Sequence, residues 1–228
     1  MNAKTAILIF ARTANAEAGI KKIAINSGRN VAAHTILLNK TIATVEESAL
    51  PHFHIDEKKQ FGDTFEERLR GAIKQVFKEG YENILCVGSD CPQLASNHLR
   101  RSKIAVEKGM ACLGRDSHGG VYLIAITQSQ FNAGILNCIS WNTKKVFSQI
   151  QANTLSLDFK YDVLPVCQDV NDSGNLLQYV KTKTISQSLK WALMSLLGLG
   201  RQFSNKIIQS ILNVGFKGVN ALRGPPAY

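Results

Sequence analysis

Apolar runs typical of buried strands alternate with amphipathic segments typical of helices from about residue 5 to residue 180. A strand that helices cover on both faces is apolar along its whole length, because neither face meets water. The runs TAILIF and NILCVG, at 5–10 and 83–88, have this character. The alternation predicts an α/β fold, in which helices flank a Rossmann-like, mostly parallel sheet.

Hydrophobic periodicity and turn signals place the individual elements along the chain. Strands are predicted at 5–10, 51–55, 83–88, 110–114, 120–126 and 161–166. Helices are predicted at 29–47, 63–80, 96–109, 143–155 and 172–182. The predicted helix caps are Asp63 or Thr64, Ser96 or Asn97, Thr143, and Asp172 or Ser173. Ligands of such sheets bind beyond the carboxyl ends of the strands, so residues that follow strands are the first site candidates.

Asp90 follows a predicted buried strand in the segment GSDCPQL, and Pro92 restricts the turn after it. A carboxylate fixed at a strand end suits Mg²⁺ or Mn²⁺, and such a cation neutralises a diphosphate leaving group. The segment is also typical of an ordinary turn, in which aspartate bonds to nearby backbone. The local sequence leaves both interpretations open.

The segment RDSHGG separates two predicted strands and sets His118 beside the paired glycines Gly119 and Gly120. The glycines allow the backbone to approach a ligand closely or to adopt a positive φ. His118 is a candidate proton acceptor or metal ligand. A hairpin turn with a solvated histidine accounts for the same residues.

Asp169 follows the last predicted strand, in CQDVNDSGNL, and is a candidate second metal ligand. Asp172 or Ser173 fits better as the cap of the next helix. Trp141, in SWNTKK, either lines a pocket or packs in the interior.

The loop after the first strand carries Arg12, Lys21 and Lys22, which suit phosphate binding or a solvated surface equally. Neither a GxGxxG nor a Walker pattern occurs, and no Ser-His-Asp elbow is visible. His52 and His54 share one strand face, but two histidines do not make a metal site, so we interpret them as structural.

Hydrophobic residues make up 45% of the 228, which excludes a disordered or fibrous chain. Five cysteines without CxxC spacing argue against a disulfide framework or a zinc cluster. They favour reduced, buried thiols in a cytoplasmic protein. The pattern of a signal peptide is absent, and no apolar run approaches the roughly 18 residues of a membrane span.

The net charge of +10 is concentrated near the C-terminus, because residues 173–228 have seven Lys and Arg and no Asp or Glu. The rest of the chain is only +3 and is not predicted to bind nucleic acid. From Leu189 to Phe216 apolar residues repeat helically around a GLG break. We therefore predict a domain at 1–180 and an amphipathic helical extension at 181–228.

Six segments occur in a recognisable order between about residues 5 and 180: ILIFAR, FGDTFEERLRGAI, YENILCVGSDCPQL, ACLGRDSHGGVYLIAI, ISWNTKKV and LPVCQDVNDSGNL. In this order the chain resembles a bacterial glycosyltransferase-like family of unknown function, often labelled selenodomain-associated transferase. The family has a nucleotide-diphospho-sugar transferase fold of the GT-A type. The most specific part is GSDCPQL followed by GGVYLIAI.

The resemblance implies metal-dependent transfer of a sugar from a nucleotide-diphospho-sugar to an unknown acceptor. It implies that Asp90 and Asp169 hold a divalent metal, Mg²⁺ or Mn²⁺, and that Asp169 and His118 are the catalytic residues. The implied substrate-binding residues are Arg12, Lys22, Ser89, Gly119, Gly120, Trp141 and Thr143.

Two family carboxylates are replaced in this chain. Where the family usually has Asp-Gly-Gly, this sequence has His118 followed by two glycines. Where the family usually has Asp-Val-Asp, this sequence has Asp-Val-Asn, with Asn171 as the last of the three residues. Neither replacement supplies the negative charge that a hard divalent ion prefers. The alternative to an enzyme is therefore a non-catalytic nucleotide-binding or scaffold relative.

The predicted partners of the whole chain are a nucleotide-sugar and an unknown acceptor, without nucleic acid. The predicted location is the cytoplasm. The basic C-terminal helices predict either packing, within the chain or in oligomerisation, or a peripheral contact with an anionic membrane.

Overall fold

A computed structural model describes residues 4–182 and 185–199. Within these ranges the strands are β1 (Thr5–Phe10), β2 (His52–Ile55), β3 (Asn83–Val87), β4 (Ala111–Asp116), β5 (Val121–Thr127) and β6 (Tyr161–Cys167). The helices are α1 (Ala14–Ala18), α2 (Ser27–Glu46), α3 (Phe65–Lys78), α4 (Ser96–Glu107), α5 (Gln128–Ala133), α6 (Val146–Ser156), α7 (Ser173–Val180) and α8 (Gln187–Leu196). The predicted α/β fold class is confirmed.

The strands form one sheet in the order β2-β1-β3-β5-β4-β6. β1 is parallel to β2 and β3, and β4 is parallel to β6. β5 lies between β3 and β4 and is antiparallel to both. All strands except β5 therefore end at the same edge of the sheet, which we call the carboxyl edge.

Both faces of the sheet are covered, as the continuous apolar runs predicted. In β3, Ile84 joins a buried cluster that contains Ile73 of α3, whereas Leu85 joins a cluster that contains Leu99 of α4. Successive residues of a strand point to opposite faces, so a strand between two helical layers must be apolar at every position.

Two helix caps are the residues that the sequence predicts. The Thr64 hydroxyl accepts the Glu67 N–H at 3.1 Å, and the Glu67 carboxylate accepts the Thr64 N–H at 2.9 Å. At α7, the Asp172 carboxylate accepts the Asn175 N–H at 2.8 Å. These bonds satisfy backbone N–H groups that have no partner within the first helical turn.

Two other predicted caps are wrong. The N-cap of α4 is Ala95 and not Ser96 or Asn97, and the N-cap of α6 is Lys145 and not Thr143. A side-chain cap contributes only about 1 kcal/mol. Burial of the apolar face contributes more, so packing on the sheet decides where these helices begin.

Three local features were missed or left open by the sequence patterns. The short helices α1 and α5 were not predicted. The segment RDSHGG forms the hairpin connection between β4 and β5, which was the second of the two interpretations given above. Its Gly119 has φ +93°, a left-handed conformation that favours glycine.

The helix α8 packs into the described structure. Its Ala192, Leu193 and Leu196 form a buried cluster with Ile36 and Leu37 of α2. The second predicted helix of the extension lies outside the described residues. Within the described ranges, no helix has the length and apolarity needed to cross a membrane.

Candidate functional site

A cavity of about 640 Å³ opens at the carboxyl edge of the sheet. Its lining comes from the segments after β1, β3 and β6, from the β4–β5 turn, from the start of α3, and from the segment around Trp141. Pockets that bind small molecules have volumes of about 300–1,000 Å³. The position and the volume of this cavity are therefore those of a small-molecule site.

A chain of ion pairs crosses one side of the cavity. The Arg12 guanidinium lies 3.0 Å from one Glu17 oxygen, and the Lys21 ammonium lies 3.3 Å from the other. Lys21 also lies 2.7 Å from Asp90 Oδ2. Burial alone would lower the pKa of Lys21, but the Asp90 and Glu17 carboxylates outweigh burial and raise it. Lys21 is therefore a permanent cation at the cavity.

Hydrogen bonds from the helix α2 hold the loop that carries Lys21. The buried side chain of Asn30 accepts the Ile23 N–H at 2.8 Å and donates to the carbonyls of Lys21 and Ala18 at 2.8 and 2.9 Å. The His34 ring bonds to the same Lys21 carbonyl at 3.1 Å. These bonds fix the backbone of Lys21, so its ammonium group starts from a defined position.

The segments after β3 and β6 bring Asp90 and Asp169 to the same cavity. The Asp90 carbonyl accepts the Val170 N–H at 2.8 Å. The Gln93 side chain accepts the Gln168 N–H at 2.7 Å. Residues far apart along the chain thus converge at the carboxyl edge, as expected for the ends of parallel strands.

A third carboxylate, Asp116, stands at the end of β4. Its Oδ1 accepts the His118 N–H at 2.6 Å and the Gly120 N–H at 2.8 Å. A Cβ atom on Gly120 would lie 2.2 Å from Asp116 Oδ2, and one on Gly119 would lie 2.2 Å from the Lys144 carbonyl oxygen. The paired glycines are therefore required by the close approach of the turn to its neighbours.

Burial and neighbouring carboxylates favour the protonated form of the Asp169 carboxyl group. The side chain is almost fully buried, and burial together with the negative charges of Asp90 and Asp116 raises its pKa to about 9. Its carboxyl group shares a hydrogen bond with Asp116. Its Oδ1 has no hydrogen-bond partner among the residues that the structure describes.

Trp141 is both a core residue and a lining residue. Its ring lies 5.2 Å from the Phe65 ring and packs against the buried cluster beneath α3. The same side chain lines the cavity. Thr143, also in the lining, donates its hydroxyl to the Ser140 carbonyl at 2.6 Å.

Most of the predicted site residues lie together. The cavity lining includes Arg12, Ser89, Asp90, His118, Gly120, Trp141, Thr143 and Asp169. Lys22 and Gly119 are not part of it. Lys22 is exposed, and its neighbour Lys21 provides the ammonium group at the cavity instead.

Sequence reasoning missed Glu17 and Asp116 as site residues. It named Lys21 as a possible phosphate-binding residue but placed Lys22, and not Lys21, among the implied substrate-binding residues. Glu17 and Lys21 are four residues apart, a spacing at which oppositely charged side chains on one helical turn meet. That spacing singles out Lys21 over Lys22. For Asp116 the available signal was an aspartate at the end of a strand, four residues before Gly120.

The side chains at the cavity do not fit a hard divalent cation, which takes several charged oxygen ligands. Asp90 is paired with Lys21, and Asp116 accepts two backbone N–H groups of its own turn. In the described ranges, no group of three or more acidic, histidine or cysteine side chains is arranged for a metal ion. The metal ligands predicted at Asp90 and Asp169 remain a prediction.

Comparison with known families identifies the chain. A family model described as "uncharacterized protein conserved in bacteria (DUF2064)" matches residues 28–143, about half of the sequence. The chain belongs to this family. The predicted membership of a bacterial family of unknown function is thereby confirmed. No curated protein matches the chain.

One solved structure shows the same fold, and others are weaker likenesses. A proposed nucleotide-diphospho-sugar transferase from Desulfovibrio desulfuricans G20 superposes with a TM-score of 0.67 at 16% identity, covering 92% of this chain and 98% of that one. Rv0371c from Mycobacterium tuberculosis H37Rv matches with a TM-score of 0.48 at 15% identity, covering 80% and 100%. The structure of its complex with manganese matches with a TM-score of 0.43 at 16% identity, covering 77% of this chain and 97% of that one. The likeness to the Desulfovibrio structure confirms the predicted GT-A-type fold of the DUF2064 chain.

Proposed function

We propose that this protein is a glycosyltransferase-like enzyme that binds a nucleotide-diphospho-sugar in the cavity at the carboxyl edge. The observation that carries the proposal is the meeting of two cations, Arg12 and Lys21, with the acidic groups of Asp90, Asp116 and Asp169 in one cavity. Cations bind the diphosphate, and carboxyl groups bind sugar hydroxyls. The shared fold with a proposed nucleotide-diphospho-sugar transferase supports this assignment.

The proposed reaction joins the acceptor to the anomeric carbon of the sugar. A hydroxyl oxygen of the acceptor forms the new bond, and the bond between the anomeric carbon and the phosphate oxygen breaks. The nucleoside diphosphate leaves with the bonding electron pair, next to Arg12 and Lys21. His118, exposed at the cavity, takes the proton of the acceptor, and Asp169 donates a hydrogen bond that orients the donor sugar.

Metal dependence is a separate part of the prediction and derives from the family resemblance. A divalent ion would neutralise the diphosphate, which is the task that the two basic side chains can also perform. Binding measured with and without Mn²⁺ therefore tests the metal prediction independently of the nucleotide-sugar prediction.

Calorimetric titration with a panel of nucleotide-sugars tests the proposal. We expect one member of the panel to bind the parent protein, and Asp169→Ala to abolish release of its nucleoside diphosphate while the protein stays folded. Absence of binding across the panel, with or without Mn²⁺, together with Asp90→Ala behaving as the parent, would overturn it.

A second candidate function is nucleotide binding without transfer. It is favoured by His118 and Asn171, which stand at the cavity where the family usually has carboxylates. This alternative predicts a nucleotide complex but no turnover with any acceptor. Steady release of nucleoside diphosphate that requires Asp169 and His118 would reject it.

The remaining partners are proposed from charge and packing. The burial of α8 against α2 favours packing over membrane contact for the first part of the extension. Oligomerisation or a peripheral membrane contact through the rest of 181–228, and a cytoplasmic location, remain proposals. Co-sedimentation of the full chain with anionic and with neutral liposomes distinguishes membrane contact from oligomerisation, because only membrane contact predicts selective retention on anionic lipid.

A further inference from the structure

We propose that Lys21 is the built-in cation of this site and binds the diphosphate in the place of a divalent metal ion. The inference rests on the proposed function, and it goes beyond that function by assigning to Lys21 the task that a divalent metal ion would otherwise perform. It makes the specific claim that diphosphate binding does not require added metal.

The position of the Lys21 ammonium group is the first argument. It lies 2.7 Å from Asp90 Oδ2 and 3.3 Å from Glu17 Oε1, at the lining of the cavity. Asp90 is the carboxylate for which the family resemblance implied a metal ion. The cation found on this carboxylate belongs to the chain itself.

The hydrogen-bonding capacity of Lys21 is the second argument. An ammonium group has three N–H donors. Asp90 and Glu17 account for two of them. The third is left for a ligand, and the side chain keeps 23% of its surface exposed, so a phosphate oxygen can reach it. Arg12, paired with Glu17 on the same side, adds the planar donors that phosphates bind well.

The rigidity of the loop is the third argument. The Lys21 carbonyl is bonded to both Asn30 and His34 of α2. Burial lowers the pKa of His34, which favours the neutral ring over a second positive charge behind the loop. An ammonium group on a fixed backbone loses little freedom when a ligand binds, as a preorganised site requires.

Binding of inorganic pyrophosphate, measured by calorimetry with EDTA and separately with Mn²⁺, tests the inference on the full chain. We expect the parent to bind equally well in both conditions. Lys21→Met should weaken binding by about tenfold or more, the effect of one charge-assisted hydrogen bond. Lys21→Arg should restore most of it. Lys74→Met, at an exposed position on α3 away from the cavity, is the matched control and should bind as the parent does.

Three results would each overturn the inference: pyrophosphate binding that appears only with Mn²⁺, binding by folded Lys21→Met equal to the parent, or no pyrophosphate binding in either condition. Thermal unfolding of each variant identifies loss of fold. Titration with the nucleotide-sugar panel distinguishes failure of this inference from failure of the proposed function. A nucleotide-sugar that binds only with Mn²⁺ would leave the function standing and remove the role of Lys21.

Discussion

At the scale of single residues, the shape of the β4–β5 turn depends on a glycine that has no room for a side chain. A Cβ on Gly120 would lie 2.2 Å from Asp116 Oδ2, whereas one on Gly28 would meet nothing closer than 3.9 Å. Gly120→Ala must displace the Asp116 carboxylate and break its two backbone hydrogen bonds. We expect it to lower the free energy of unfolding by about 1–3 kcal/mol.

The control for this substitution is Gly28→Ala in the first turn of α2, which should be neutral or more stable by about 0.5–1 kcal/mol. Denaturant unfolding of both variants measures the difference. Equal stability of the two proteins would show that the turn can relax without loss.

A second residue-scale prediction concerns Glu57, whose carboxylate accepts the Thr13 N–H at 2.7 Å and the Thr13 hydroxyl at 2.8 Å. Burial alone would raise the pKa of Glu57, but these bonds outweigh it and lower the pKa. Because the folded pKa is the lower one, the bonds stabilise the protein above the ordinary glutamate pKa. That stability is lost as pH falls through the folded pKa.

The melting temperature of Glu57→Gln should therefore lie below that of the parent at neutral pH, and the gap should narrow in acid. Thermal scans across the acidic range measure this, with the exposed Glu82→Gln as the control. A gap that widens toward acid would contradict the assigned role of Glu57.

At the scale of secondary-structure elements, the loop after α1 is positioned by two buried side chains of α2, Asn30 and His34, of which Asn30 makes the larger number of hydrogen bonds. Asn30→Ala removes four hydrogen bonds to this loop and leaves buried backbone groups without partners. We expect a loss of about 2–4 kcal/mol in the free energy of unfolding. Pyrophosphate affinity should fall as well, because Lys21 loses its fixed backbone.

The matched control is Asn26→Ala, which removes the N-cap of the same helix by breaking its bond to the Arg29 N–H. This variant should lose about 1 kcal/mol of stability and keep its pyrophosphate affinity. If the two variants bind equally, the loop does not depend on Asn30 for its position.

The elements that the sequence predicted well are those with a strong periodic pattern. The helix α3 buries an apolar stripe at helical spacing, and β3 buries a short, continuous apolar run, as expected of a strand between two layers of helices. The five-residue α1 has no such surface, since none of its residues is buried. It is held by the Thr13 cap and by its contact with α2, and tertiary contacts of this kind leave no local pattern.

Part of the candidate site was also predicted from the sequence, namely the residues that directly follow apolar strands. Asp90 and Asp169 were found because each follows an apolar strand and parallel strands end at one edge. The choice of Lys21 over Lys22 depends on where α1 ends, and the role of Asp116 depends on the pairing of β4 with β6. The first depends on a short helix that the sequence patterns missed, although the spacing of Glu17 and Lys21 points to it. The second requires knowledge of contacts that lie far apart in sequence.

At the scale of the whole molecule, the C-terminal helix is connected to the candidate site through one helix. α8 packs on α2, and α2 carries the asparagine that holds the Lys21 loop. The helix α8 therefore acts as part of the core and not as a separate attachment. A substitution that disrupts this packing should lower the free energy of unfolding of the entire α/β structure, because small domains unfold cooperatively.

Leu193 of α8 provides the test, because its side chain is 0% exposed, whereas that of Leu199 beyond the helix is 54% exposed. Leu193→Ala leaves a cavity between α8 and α2 and should cost about 2–5 kcal/mol of unfolding free energy. Leu199→Ala, which removes the same atoms from the surface, should change it by less than about 0.5 kcal/mol. Denaturant unfolding followed by both circular dichroism and tryptophan fluorescence should give one coincident transition for each protein. Two separate transitions, or equal stability of the two variants, would mean that α8 folds apart from the sheet and has no part in supporting the Lys21 loop.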